Sequence, residues 1–263
     1  MSENPALYVS QKSGSRIILH LTVVFYLFAL INEYLAIYNP FYSAVASAVI
    51  IFLGLNIAAF NANNALYRIL PALALVPFVR LLSLALPLTI SVTQVWYLLV
   101  SVPVLVAIFF ILRTREIPLA EIGLRRSPWM TQLPIALTGL PLGFIGYLIL
   151  HPQPLFSSHG PLMWAANLLT VLFCVALTEE VLFRGILLRL LSEVNVKFSG
   201  LWLAILYASL HWGSKSPAYV VYMGIVGWLF ARFARHTHSI LGIIIANFFF
   251  VAGMGLIWPA LLR

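Results

Sequence analysis

Nine apolar runs, six of them 18 to 22 residues long, leave this chain almost no way to fold in water. They lie at about 17–38, 41–60, 69–88, 95–112, 133–150, 162–191, 201–211, 218–231 and 240–258. A bilayer core asks for about 20 apolar residues per helix, and a soluble domain carries about 25% charged residues. Here 62% of residues are hydrophobic and 8% are charged. The gaps are Asn/Pro, Asn-rich, Pro/Ser/Thr and charged pieces, which suit loops. The expectation is an all-α, polytopic transmembrane helix bundle of eight or nine spans, in which 263 residues leave no room for a separate soluble domain. The short seventh and eighth runs, with Gly224 and Gly227 in the latter, leave the count open between eight and nine.

The formal charge of +8 does not point to nucleic acid, because Lys and Arg sit in the short gaps rather than on one folded face. Alternating the gaps across a bilayer gathers Lys12, Arg16, Arg68, Arg113, Arg115, Arg125, Arg126, Arg189, Lys197, Arg232 and Arg235 on one side. Lys215 and Arg263 fall on the other. Eleven against two fits nine spans with a cytoplasmic N-terminus, by the bias of Lys and Arg toward the cytoplasm. The first apolar run is too long for a signal-peptide core and is expected to be a retained span. Between Arg113 and Met130, Ile117, Leu119, Ile122 and Leu124 alternate with charges, so an interfacial amphipathic helix is expected there. The single cysteine, Cys174, lies inside an apolar run and offers neither a disulfide nor a CxxC site.

Ionisable residues inside spans carry the chemical information, since each costs about 2.5–3.5 kcal/mol at mid-membrane. The sixth run holds Glu179, Glu180 and Arg184, together worth roughly 8–10 kcal/mol if unpaired. Glu180 and Arg184 are four apart with the acid first, the favourable order for a helical ion pair. Glu179, about 100° around the helix, is then free to face something else. The three charges are either a polar cluster tying helices together or a general base with its supports. His211 is the natural partner of Glu179. Glu179 lies 13 residues before Ser192 and His211 lies 12 after Ser199, so an antiparallel hairpin sets both roughly 18–20 Å from its closed end. Arg80 and Glu33 are expected to pair or to reach the interface, with no catalytic role.

Glu179-Glu180-x-x-x-Arg184-Gly185 followed by Tyr207-x-x-x-His211 resembles the first two motifs of the CAAX protease and bacteriocin-processing family of intramembrane glutamic endopeptidases. The motif-bearing resemblance covers about 162–251, and Leu119–Arg126 is similar to the family's element before the core. The chain is accordingly divided into N-terminal transmembrane helices without a recognised motif (1–118) and a protease-like core (119–263). The family's third motif is His-x-x-x-Asn; here Asn247 and Val251 stand in those places, and Tyr207 replaces the usual Phe.

The resemblance implies a metal-independent intramembrane endopeptidase of the bacterial inner (plasma) membrane, without cofactor. Glu179 and His211 would activate water, Glu180 and Arg184 would support them, and Asn247 would donate to the oxyanion in place of the family's His. A zinc site is not expected, because Asn247 removes one candidate ligand and His236 and His238 belong to a loop. The partners implied are the lipid bilayer and a membrane-anchored or lipidated protein or peptide. The alternative is a degenerate relative acting as a binding or bacteriocin-immunity-type membrane protein, favoured by Asn247 and Val251. A transporter is a weaker match, since no repeat halves are evident.

Overall fold

In a bilayer every backbone N–H and C=O has to be satisfied within the chain, and a single apolar segment meets that demand as a helix. The computed structural model describes residues 5–60, 66–86, 93–155 and 160–262, and these are helical with no strand. Side chains are described from Leu19 onward, Leu66 excepted. The side chains of Lys12 and Arg16, together with Arg263 and the end of the third run at 87–88, lie outside the described residues.

Nine helices follow one another among the described residues. The first five are α1 (Pro5–Tyr38), α2 (Pro40–Phe60), α3 (Leu66–Ala85), α4 (Thr93–Thr114) and α5 (Trp129–Leu150). Then α6 runs without a break from Pro161 to Val194 through alternating α and π segments. It is followed by α7 (Ser199–Ser209), α8 (Pro217–Thr237) and α9, which runs from Leu241 through a π turn to Leu261. Seven of them, α1 to α5 with α8 and α9, are long and apolar enough to cross a membrane. The remaining two are the helices of the carboxylate hairpin: α6 carries the buried charges, and α7 has 11 residues. At about 1.5 Å per residue α7 climbs roughly 16 Å, half a hydrocarbon core. Phe28, Phe52, Phe109 and Ile225 are among many large apolar side chains on the outer surface, where lipid rather than water is the fitting neighbour.

The segment between α4 and α5 corrects one expectation. Residues 115–128 form turns rather than an interfacial helix. Pro118 and Pro128 withdraw backbone donors, and Glu116 and Gly123 take positive φ (52° and 81°), which no helix accommodates. Of the apolar residues that imitate an amphipathic face, Ile117 and Ile122 are buried in the core, while Leu119 stays exposed.

Small residues set the closest packing. On α5, Gly139 lies so near α9 that a Cβ would stand 1.9 Å from the Ala246 carbonyl oxygen, and one on Gly143 would stand 2.7 Å from that of Phe250. Glycine spaced in this way lets helix backbones touch in lipid, where dispersion rather than the hydrophobic effect holds them. The contact fixes α9, and with it Asn247. The N-terminal helices pack on α7: the Tyr26 hydroxyl donates to the Trp202 carbonyl at 2.7 Å. At one end of the bundle Glu193 bridges Arg68 (3.6 Å) and Arg189 (3.3 Å), and Arg189 also pairs with Glu121.

Candidate active site

The two glutamates occupy a single α-helical turn, Thr178–Glu180, between two π turns, Val171–Leu177 and Val181–Leu187. π turns wind an extra residue into each repeat and are common at functional sites. Glu180 is wholly buried and Arg184 nearly so. The Arg184 Nη1 donates to Glu180 Oε1 at 3.0 Å, and its Nη2 reaches the Gly227 carbonyl of α8 at 3.4 Å. Its guanidinium also lies over the Tyr207 ring, 4.3 Å from the centroid. Gly227 permits this: a Cβ there would meet Tyr207 Cδ1 at 3.0 Å. A charge buried in an apolar bundle is tolerated when it is paired and hydrogen-bonded, and Arg184 satisfies both conditions for Glu180.

Glu179 turns to another side of α6 and is only half-buried. Its Oε2 accepts from the Tyr207 hydroxyl at 3.1 Å and from the Asn247 amide at 3.1 Å. The same Asn247 nitrogen donates to Glu180 Oε1 at 2.9 Å. One amide from α9 thus fastens two neighbouring carboxylates of α6, while Tyr207 from α7 holds the more accessible one. Glu180 Oε2, Arg184 Nε and Asn247 Oδ1 are buried with no hydrogen-bond partner. Buried polar atoms without a protein partner are where water or a substrate group can complete the set. A cavity of about 190 Å³ opens beside Glu179 between α3, α4 and α6, lined by Trp96, Tyr97, Ser101 and Cys174 among others.

His211 ends α7. Its Nδ1 lies 3.0 Å from the Tyr207 carbonyl oxygen, and its ring packs edge-on against Tyr207 (5.2 Å) and Tyr219 (5.8 Å). A carbonyl can only accept, so Nδ1 carries the proton and Nε2 is the ring's acceptor in the neutral form. The imidazole is within electrostatic reach of Glu179. Depth matching by simple α-helical rise places His211 opposite Glu179, whereas the side chain bonded to Glu179 is Tyr207, one turn earlier. The π turn between Glu179 and the hairpin holds more residues per turn than an α-helix, so simple α-helical rise overstates the distance of Glu179 from the closed end.

Residues 161–253 match the family model of the Type II CAAX prenyl endopeptidase Rce1-like proteins. Over this stretch the chain is similar to that family. The match agrees with the resemblance carried by the sequence motifs and supports a CAAX-type intramembrane protease as the kind of function. No curated protein and no solved structure matches the chain. The Rce1-like stretch begins with α6 and reaches the end of α9's α-helical part, so it contains Glu179, Glu180, Arg184, Tyr207, His211 and Asn247. With its membrane-competent helices, the chain is an integral membrane protein.

Two contributions to the site go beyond the sequence reading: the Tyr207 hydroxyl, and the reach of Arg80 past its expected partner Glu33. Tyr207 is more than a mild exchange for Phe, because its hydroxyl makes the bond to Glu179. The signal was available: a tyrosine buried to this depth has to find a partner for its O–H. Arg80 and Glu33 do pair, Nε to Oε2 at 2.9 Å, and Arg80 Nη2 also reaches the Leu210 carbonyl at 3.4 Å, beside His211. Val251, in the family's Asn position, is partly buried against the core and brings no polar atom.

Proposed function

We propose that this protein is an intramembrane endopeptidase that hydrolyses a peptide bond of a membrane-associated or lipidated protein with water activated by Glu179 and His211. The observation that carries the proposal is the clustering of Glu179, Glu180, Tyr207 and Asn247 from three helices, with Arg184 neutralising one carboxylate and leaving the other half-open. Glu179 takes one proton from water, while the free Nε2 of His211 accepts its other O–H and orients it, as the oxygen attacks the carbonyl carbon. Protonation of Glu179 removes the negative charge that holds one Asn247 N–H, and that N–H becomes the donor for the oxyanion. As the C–N bond breaks, the proton on Glu179 passes to the leaving amine. Glu180 and Arg184 hold the helix charge-balanced throughout. Glu180 is committed to its ion pair with Arg184, which leaves Glu179 as the carboxylate open to water.

Proteoliposomes offered a panel of membrane-anchored peptides should show cleavage that persists in excess chelator and is lost with His211→Ala. Chelator-sensitive cleavage restored by zinc would overturn the metal-free mechanism. Asn247→Ala should lower turnover by roughly 10²-fold, the scale for losing one oxyanion donor, with little change in substrate affinity. A second reading is favoured by one observation, that both Asn247 donors are committed to carboxylates. A non-catalytic relative acting by binding would show no turnover in the native protein, and Asn247→Ala would change stability or partner binding alone. The Lys/Arg asymmetry further supports a cytoplasmic N-terminus and an exterior C-terminus. Reporter fusions after Arg126 and after Arg263 should label opposite sides of the membrane, and labelling of one side by both would refute that orientation.

A further inference from the structure

The basic end of the bundle holds a second cavity, of about 630 Å³, that shares Arg184 with the carboxylate cluster and otherwise has its own lining. Its wall is made by α6, the last turn of α8, the 120–125 turns and the approach to α9. Arg125, Arg189, Arg235 and His238 stand in that wall with the hydroxyls of Ser192 and Ser239. Glu121 is the one acid in it and is already paired with Arg189, which also holds Glu193. Arg125 and Arg235 have no acidic partner among the described residues.

The inner wall is unusual as well. Arg184, 3% exposed, contributes to it, and its buried Nε lacks a partner. The 12-residue α-helical part of α9 begins immediately after wall residues Ser239 and Ile240, adding the positive end of a helix dipole. Arg235 lies against Gly200 of α7, where a Cβ would come within 2.8 Å of Nη2, and it remains exposed at the cavity rim. The rest of the wall, including Ile122, Leu188 and Ala234, is apolar.

Several guanidiniums facing a concave space, with hydroxyl donors and a helix N-terminus, form a set suited to phosphate. Apolar flanks at a bundle end add what an acyl-bearing phosphate needs and a free one does not. We propose that this cavity binds a phosphate group presented by an anionic glycerophospholipid of the surrounding bilayer. The site stands whether or not Glu179 and His211 are catalytic, because none of its exposed arginines touches the carboxylate pair.

The test uses the full chain in phosphatidylcholine nanodiscs doped with phosphatidylglycerol, with retained lipids read by native mass spectrometry. One phosphatidylglycerol per chain should be retained at least tenfold above its mole fraction. Arg125→Gln combined with Arg235→Gln should return retention to the mole fraction. Arg232→Gln should not, since Arg232 lies outside the cavity over Trp228. Arg125 and Arg235 are exposed, so the double variant should keep its melting temperature, and wild-type enrichment alone decides the matter should it not. Equal retention of the two lipids by the native chain, or undiminished enrichment in a folded double variant, overturns the proposal. Calorimetry with inorganic phosphate separates the sources: arginine-dependent phosphate binding without lipid enrichment would overturn the lipid and leave a soluble phosphate ligand.

Discussion

Glu179→Gln should reduce peptide hydrolysis by roughly 10²–10⁴-fold, the range that a positioned general base contributes, while the helix bundle stays folded. The substitution is nearly isosteric. A glutamine Oε1 can accept from the Tyr207 hydroxyl and the Asn247 amide as Glu179 Oε2 does, so the cluster keeps its connections and loses only the ability to take a proton. Turnover in proteoliposomes should therefore collapse with substrate affinity and melting temperature close to native values. Retained turnover in Glu179→Gln would remove this carboxylate from the chemistry and leave Glu180 as the only acid of the cluster. That alternative is hard to sustain physically, because Glu180 is wholly buried and held by Arg184 and Asn247.

Arg184→Met should destabilise the protein by about 3–5 kcal/mol, the cost of leaving one half of a buried ion pair without the other. Glu180 would then keep the Asn247 amide alone among described partners, next to the second carboxylate of Glu179. Adding Glu180→Gln should recover much of the loss, since the glutamine carries no charge and can still accept from Asn247. Denaturation of the native chain, both single variants and the double variant gives the coupling directly. Simple additivity would show that Glu180 and Arg184 do not act as one unit.

Much of this was legible in the chain because lipid imposes a simple grammar. Apolar length marked the spans, and the seventh run at about 201–211 overlaps α7, which begins and ends two residues earlier. Four-residue spacing was enough to pair Glu180 with Arg184, because both lie on one helix face. Contacts between distant segments were not legible. Nothing local announces that Arg80, 47 residues from Glu33, reaches past it to the Leu210 carbonyl, or that Asn247 meets two carboxylates at once. The π turns also escape pattern reading, since the same apolar letters suit an α-helix, and they shift which residue Glu179 meets. Between α4 and α5 the apolar alternation was real but misleading: positive φ at Glu116 and Gly123 broke the helix, and burial accounts for Ile117 and Ile122 but not for the exposed Leu119.

The supports of the carboxylate cluster come from outside the stretch that carries its motifs. Tyr26 of α1 holds Trp202, Arg80 of α3 holds the carbonyl beside His211, and Gly139 of α5 sets how deeply Asn247's helix can seat. The stretch that matches the family model is thus not a mechanical unit by itself. Its geometry leans on α1, α3 and α5, which lie outside that match. Variation in those helices can retune the site without altering one of its polar residues, and two chains with identical motifs can differ in rate through a scaffold that motif comparison never samples.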